Sequence, residues 1–263
     1  MAFARGKDAE IHYEIHGRGT PVLLSAGMGG SGSFWAPQLE ALAARHQVIL
    51  YDHVGTGRSA RADRSIAGMA DDIACVLDDA GVDAAHVVGH AIGGIVGVEL
   101  ALRHPKRLRS LTVVNGWGRA DPFLRRCFEI RKQLLNQSGP QAYVRAQPLF
   151  LYPPQWISEN IAHLDAEEER ILKHFPPVAT MNQRIDMFLA FEGGRRLAAI
   201  KVPTLLSVAK DDALVPAYLT RELAAAIPGS RVHEVDWGAH AFSVVTPTIF
   251  NDTLLDFCKA VDR

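Results

Sequence analysis

Neither sign of charge is in excess in this sequence: 28 lysines and arginines stand against 29 aspartates and glutamates, a net charge of −1 over 263 residues. Such a balance gives no electrostatic footprint for nucleic acid or an anionic membrane. Cysteine is scarce, with only Cys75, Cys127 and Cys258, an odd number at wide spacing. That supports neither a disulfide framework nor a cysteine metal site, and it favours a reducing compartment. No apolar run reaches the length of a membrane span, and the opening MAFARGKDAEIHYEIHG lacks the apolar stretch of a secretory signal. The expectation is a cytoplasmic protein with a small-molecule substrate and no metal or cofactor, no nucleic-acid partner and no membrane partner. A homodimer stays open.

With 48% apolar residues, a chain of this length can bury one large core. Ile11, Tyr13 and Ile15 alternate with polar residues, which predicts a half-exposed strand near a sheet edge. Residues 21–25, 47–51, 86–89, 111–114 and 203–208 are apolar runs of the kind found in buried parallel strands. Between them lie helical stripes such as Ile66, Met69, Ile73 and Val76, with Ser65 as a cap. A short strand at 231–235 and a helix carrying Phe250, Leu254 and Phe257 close the chain. The pattern predicts an α/β fold, a mostly parallel sheet of about eight strands with helices on both faces. Residues 118–196, rich in arginine and aromatics and without a clear strand, read as a helical cap inserted in a core of 1–117 and 197–263.

A sheet of this type binds ligands beyond the carboxyl ends of its strands, so the loops there carry the functional information. Val87-Val88-Gly89-His90-Ala91-Ile92-Gly93-Gly94 has the layout of a nucleophile elbow, where G-x-S-x-G presents a serine on a strand–helix turn. Here the position is Ala91, whose methyl group cannot attack. Plain strand–helix packing also explains part of the glycine pattern, and His90 reads as a packed histidine. Ala26-Gly27-Met28-Gly29-Gly30 could turn backbone N–H groups towards a ligand, or could be a simple turn. Asp52 to Ser59, with Gly55 and Gly57, lacks the third glycine of a dinucleotide fingerprint and reads as a structural turn. Late in the chain come Lys210-Asp211-Asp212-Ala213-Leu214-Val215-Pro216 and Gly238-Ala239-His240-Ala241. Nucleophile position, acid and histidine then follow in the chain order of the α/β-hydrolases, with Asp212 as the acid and Asp211 facing solvent.

The motifs GMGGSGSFW at 27–35, YDHVGTGRS at 51–59, VVGHAIGG at 87–94, the acid loop and GAH resemble the α/β-hydrolase superfamily over the whole chain. More narrowly, VNGWGRADPFLRRCFEIRKQLL at 114–135 and AQPLFLYPPQWI at 146–157 resemble the RutD family. That resemblance implies hydrolysis of a carbamate or aminoacrylate in pyrimidine degradation, in a family whose members can carry alanine at the elbow. Two readings of Ala91 stay open, a native alanine and a replaced serine.

Without a serine hydroxyl, water takes the nucleophile's place. His240 is the expected base, Asp212 its orienting partner, and the N–H groups of Met28 and Ile92 the expected oxyanion hole. In the cap, Arg125, Arg126, Arg131 and Arg145 sit among aromatics. An arginine can hold a carboxylate in a bidentate fork, although most helix arginines are solvated and one of the four is expected to reach the pocket. Arg125, Arg126 and Tyr152, with Trp35 and Trp117 from the core side, are the candidate substrate contacts. Two alternatives remain: an esterase or lactonase with its serine replaced at Ala91, and a non-catalytic binding protein. Retention of Asp212 and His240 argues against the second.

Overall fold

The computed structural model describes residues 2–6 and 8–263. Eight strands form one sheet: β1 (Ala2–Arg5), β2 (Glu10–His16), β3 (Thr20–Ser25), β4 (His46–Tyr51), β5 (Ala85–His90), β6 (Leu108–Val114), β7 (Thr204–Ala209) and β8 (Arg231–Val235). Their spatial order is β1-β2-β4-β3-β5-β6-β7-β8. From β4 across to β8 the pairings are parallel, while β1 and β2 run antiparallel at one edge.

The central strands are apolar on both faces because both faces are covered. Leu23, Ile49, Val87 and Leu111 enter one buried cluster, and their neighbours Leu24, Val48, Leu50 and Val88 enter a second. Each such side chain contributes about 1.5–3 kcal/mol of burial. The edge differs from its sequence pattern. Ile11, His12 and Tyr13 are all buried, because β1 pairs outside β2 and the Phe3 ring meets the His12 ring edge-on at 5.3 Å. The alternation in β2 predicted an exposed His12; the short β1 was not legible as a strand.

Helices α1 (Ala36–Ala43), α2 (Ile66–Asp79) and α3 (Ile92–Arg103) connect the first strands. Ser65 caps α2 by accepting from the Gly68 N–H at 3.0 Å, and the stripe from Ile66 to Leu77 is buried. Between β6 and β7 lie α4 (Pro122–Ala146), α5 (Pro148–Leu151), α6 (Pro154–Glu159), α7 (Ile161–Lys173) and α8 (Val178–Leu189). Asp121 caps α4, and Gly139, at φ 83° and followed by Pro140, kinks it. The insertion has a narrow neck. Arg119 and Glu192 form an antiparallel bridge, and the Gly193 N–H donates to the Gly118 carbonyl at 2.9 Å. After β7 come α9 (Ala217–Ala226), α10 (Phe242–Val245) and α11 (Pro247–Val261). Among the described residues no helix is long and apolar enough to cross a membrane.

Candidate active site

The turn from β5 into α3 is a strained backbone, and its glycines allow it. Ala91 has φ 49° and ψ −111°, a conformation that costs a non-glycine residue on the order of 1–3 kcal/mol. A hydrogen bond from its N–H to the Val114 carbonyl, 2.8 Å, holds it there. A Cβ on Gly89 would lie 2.2 Å from the Gly93 carbonyl oxygen, and one on Gly93 would lie 2.3 Å from that of Ser25. Only bare backbone fits at these two points. The side chain at 91 is therefore lifted from the sheet edge at the position of a nucleophile, and it is a methyl group. Ile92 opens α3, so its N–H has no carbonyl one turn earlier in the helix to bond.

Asp212 and His240 form a buried pair beside this turn. His240 Nδ1 lies 2.8 Å from Asp212 Oδ2, with His240 3% and Asp212 4% exposed. A carboxylate only accepts, so Nδ1–H donates and Nε2 keeps its lone pair for proton transfer. The carboxylate is saturated. Its Oδ1 accepts from the N–H groups of Leu214 and Val215, each at 2.8 Å, and its Oδ2 also accepts from the Asn115 side-chain amide. Asn115, at the end of β6, is fully buried at φ 52°, a left-handed conformation that asparagine tolerates better than most residues. The sequence reading passed over it. Its signal was an asparagine at the carboxyl end of a buried strand, one residue before Gly116.

Asp211 is exposed but bonded. It accepts from the Gly238 N–H at 3.1 Å and the Ala239 N–H at 2.8 Å. Two consecutive aspartates thus hold one loop, Asp212 by the imidazole of His240 and Asp211 by the backbone just before it. His90 closes the arrangement from the elbow side, donating from Nε2 to the His240 carbonyl at 2.8 Å and stacking on Phe34. Burial, with His240 beside it, pulls the His90 pKa down to about 3, so it stays neutral and structural.

The loop after β4 buttresses the glycine loop after β3. Asp52 accepts from the Gly32 N–H at 2.9 Å and the Arg58 N–H at 3.0 Å, and the His53 N–H donates to the Gly30 carbonyl at 2.8 Å. This is a structural turn. His53 is buried against Ser25, 3.2 Å from its hydroxyl, and burial holds its pKa near about 3. A cavity of about 440 Å³, open mouth included, runs from Met28 and Ile92 past His53 to Arg184 and Met187 of α8. Ala91 and His240 do not line it themselves; Ile92, the next residue along from Ala91, does.

The other candidate contacts lie elsewhere. Trp35 is sealed between Phe34 and Phe250 in the core cluster on the other side of the sheet. Trp117 is buried against Phe188, Tyr152 stacks on Trp156 at 4.4 Å, and none of the three lines the cavity. Arg125 spends its guanidinium on the carbonyls of Ala120 and Leu189, Arg126 is exposed, and Arg145 pairs with Glu168 at 3.3 Å. Arg131 alone of the four is buried, at 3% exposure. No group of three or more histidine, cysteine or acidic side chains among the described residues could hold a metal.

A parallel sheet, a strained elbow and an acid–histidine pair at its carboxyl edge define an α/β hydrolase. The family described as the α/β hydrolase fold matches residues 20–138. The chain is 67% identical, over all of both chains, to a protein of Azorhizobium caulinodans named as the carbamate hydrolase RutD. It is 50% identical to one of the same name from Caulobacter vibrioides, covering 95% of each. Among solved structures it resembles the enol-lactonase of Burkholderia xenovorans, with TM-score 0.89, 25% identity and coverage of 98% and 100%. The chain belongs to the RutD family of α/β hydrolases.

Proposed function

We propose that this enzyme hydrolyses a small carbamate or aminoacrylate in the cytoplasm, during release of nitrogen from pyrimidines, with water as the nucleophile. The observation that carries this is a complete Asp212–His240 pair beside an elbow whose nucleophile position holds only a methyl group. The relatives' shared name, carbamate hydrolase, supports the substrate class.

His240 Nε2 takes a proton from a water held above Ala91, and the oxygen attacks the carbamate carbon. Asp212 keeps the ring oriented and stabilises the imidazolium. The N–H groups of Met28 and Ile92 face the oxygen that gains charge. His240 then returns its proton to the nitrogen, the C–N bond breaks, and ammonia and hydrogen carbonate leave. With aminoacrylate, a proton adds to the carbon next to the carboxylate and the water oxygen to the carbon bearing nitrogen, which opens the C=C bond, and loss of ammonia from that carbon yields the aldehyde. Residues 118–196 act as a cap that shields this chemistry, supported on the narrow neck at 118–119 and 192–193.

The test is ammonia release from carbamate, with the spontaneous rate subtracted. His240→Ala should lower kcat/KM by at least about 10³-fold. Ala91→Ser should give no useful esterase on p-nitrophenyl acetate, since the site is shaped for water. A gain of about 10²-fold or more there would count against water attack and for a serine site that has lost its hydroxyl.

A further inference from the structure

Arg131 is a buried charge with no opposite charge beside it. Its guanidinium carbon sits 4.6 Å from the Phe128 ring centroid, 5.1 Å from Tyr143 and 5.3 Å from Phe150. Nη2 donates to the Tyr143 hydroxyl at 3.1 Å, and Nε is buried with no partner at all. No carboxylate pairs with it among the described residues, whereas two other cations of the insertion do find one, Arg145 with Glu168 and Lys132 with Asp186. Three aromatic faces offset part of the desolvation of a guanidinium, but less than a counter-ion supplies. Burial accordingly pulls the Arg131 pKa below its usual range.

Arg131 does not line the cavity itself, but one side chain links it to the cavity wall. The Tyr143 hydroxyl that accepts from Arg131 points on to Met28 Sδ at 3.9 Å, and Met28 both lines the cavity and lies in the glycine loop. One turn earlier on α4, Cys127 is buried as well. Through Tyr143 and Met28 the cage reaches the glycine loop at the carboxyl edge of the sheet.

We propose that Arg131 is the receptor for the anionic end of the substrate, and that the site selects small monoanionic carboxylates over neutral isosteres. The free N–H groups of Arg131 complete a fork with a carboxylate, and Phe128 and Phe150 exclude water around it. This rests on the hydrolase reading for its biological meaning, but its test does not use hydrolysis.

The probes are acrylate and its neutral isostere acrylamide, titrated calorimetrically into the full chain. Wild-type protein should bind acrylate at least about tenfold more tightly than acrylamide. Arg131→Met should abolish that preference by weakening acrylate alone, and Arg145→Met, which removes an exposed cap guanidinium, should retain it. Arg131→Met keeps the length of the side chain and, because no carboxylate pairs with Arg131, leaves no opposite charge stranded in the interior. A measurement on the wild type guards against a folding failure: the arginine Nε–H resonance that Arg131→Lys removes should shift on saturation with acrylate. No acrylate preference in the wild type, a preference that survives Arg131→Met, or an unmoved resonance would each overturn the proposal. In His240→Ala the acrylate preference should persist. Lost hydrolysis of carbamate by wild-type protein, with anion binding intact, would therefore sink the hydrolase reading and leave Arg131 standing; intact hydrolysis without the preference would do the reverse.

Discussion

The loops at the sheet edge and the helices inserted between β6 and β7 differ in how they hold a buried charge. At the edge, the buried acid is fully committed: the Asp212 carboxylate accepts four hydrogen bonds, and Asp52 ties the glycine loop to its neighbour, although His90 Nδ1 and Asn115 Oδ1 find no partner. In the insertion, polar side chains mostly face outward on helices, and the one buried guanidinium is left with aromatic rings and a phenol. A committed network fixes geometry, which proton transfer needs. An uncommitted charge keeps its hydrogen-bond donors free, which the proposed recognition needs. On the proposed reading, chemistry is built into the sheet edge and selectivity into the helices.

Three substitutions or conditions would break or sharpen that contrast. The largest effect is expected from Gly89→Ala. Its Cβ would sit 2.2 Å from backbone, and backbone cannot swing aside like a side-chain tip. Chemical denaturation should show a loss of about 4 kcal/mol or more, or no folded protein. A loss under about 1 kcal/mol would mean that the elbow relaxes easily and is not the rigid part of the molecule.

Acid should reach the sheet edge next. His53 and His90 are buried there, and burial lowers both pKa values to about 3, below the ordinary histidine value of 6.5. The unfolded chain binds their protons first as pH falls. Their stabilising contribution is therefore whole above about pH 6.5 and is lost progressively down towards about pH 3. Each should add about 1.4 kcal/mol per pH unit to the slope inside that window. Denaturation of His53→Asn and His90→Asn across pH 6 to 4 should each show a shallower slope than the wild type. Unchanged slopes would place the acid sensitivity elsewhere, and the contrast between edge and insertion would lose one of its supports.

The smallest effect belongs to Arg145→Ala in the insertion. Its pairs with Glu168 at 3.3 Å and Asp165 at 3.8 Å are solvated, and an exposed pair is worth about 0–1 kcal/mol. The melting temperature should hardly move, and it should move still less in high salt. A loss of about 2 kcal/mol would show that the insertion depends on its surface charges more than its helices suggest.

The sequence by itself determined much of this protein. Apolar runs, capped amphipathic stripes and glycine spacing dictate a parallel sheet with covered faces, because burial and backbone sterics act locally and leave a periodic record. The chain order of elbow, acid loop and histidine pointed to Asp212 and His240 through the same local record. Tertiary structure decided what depends on contacts between distant residues. Asn115 reaches Asp212 across 97 positions, and no local pattern announces that meeting. Asp211, expected to face solvent, also holds the loop of His240, since two loops far apart in sequence converge at one sheet edge. Trp35 and Arg125, plausible contacts by residue type, went to core packing and to the backbone carbonyls of Ala120 and Leu189. Which of four cap arginines is buried was not legible either. Helical spacing gives each a face, but only the packing of α4 against its neighbours decides which face is closed from water.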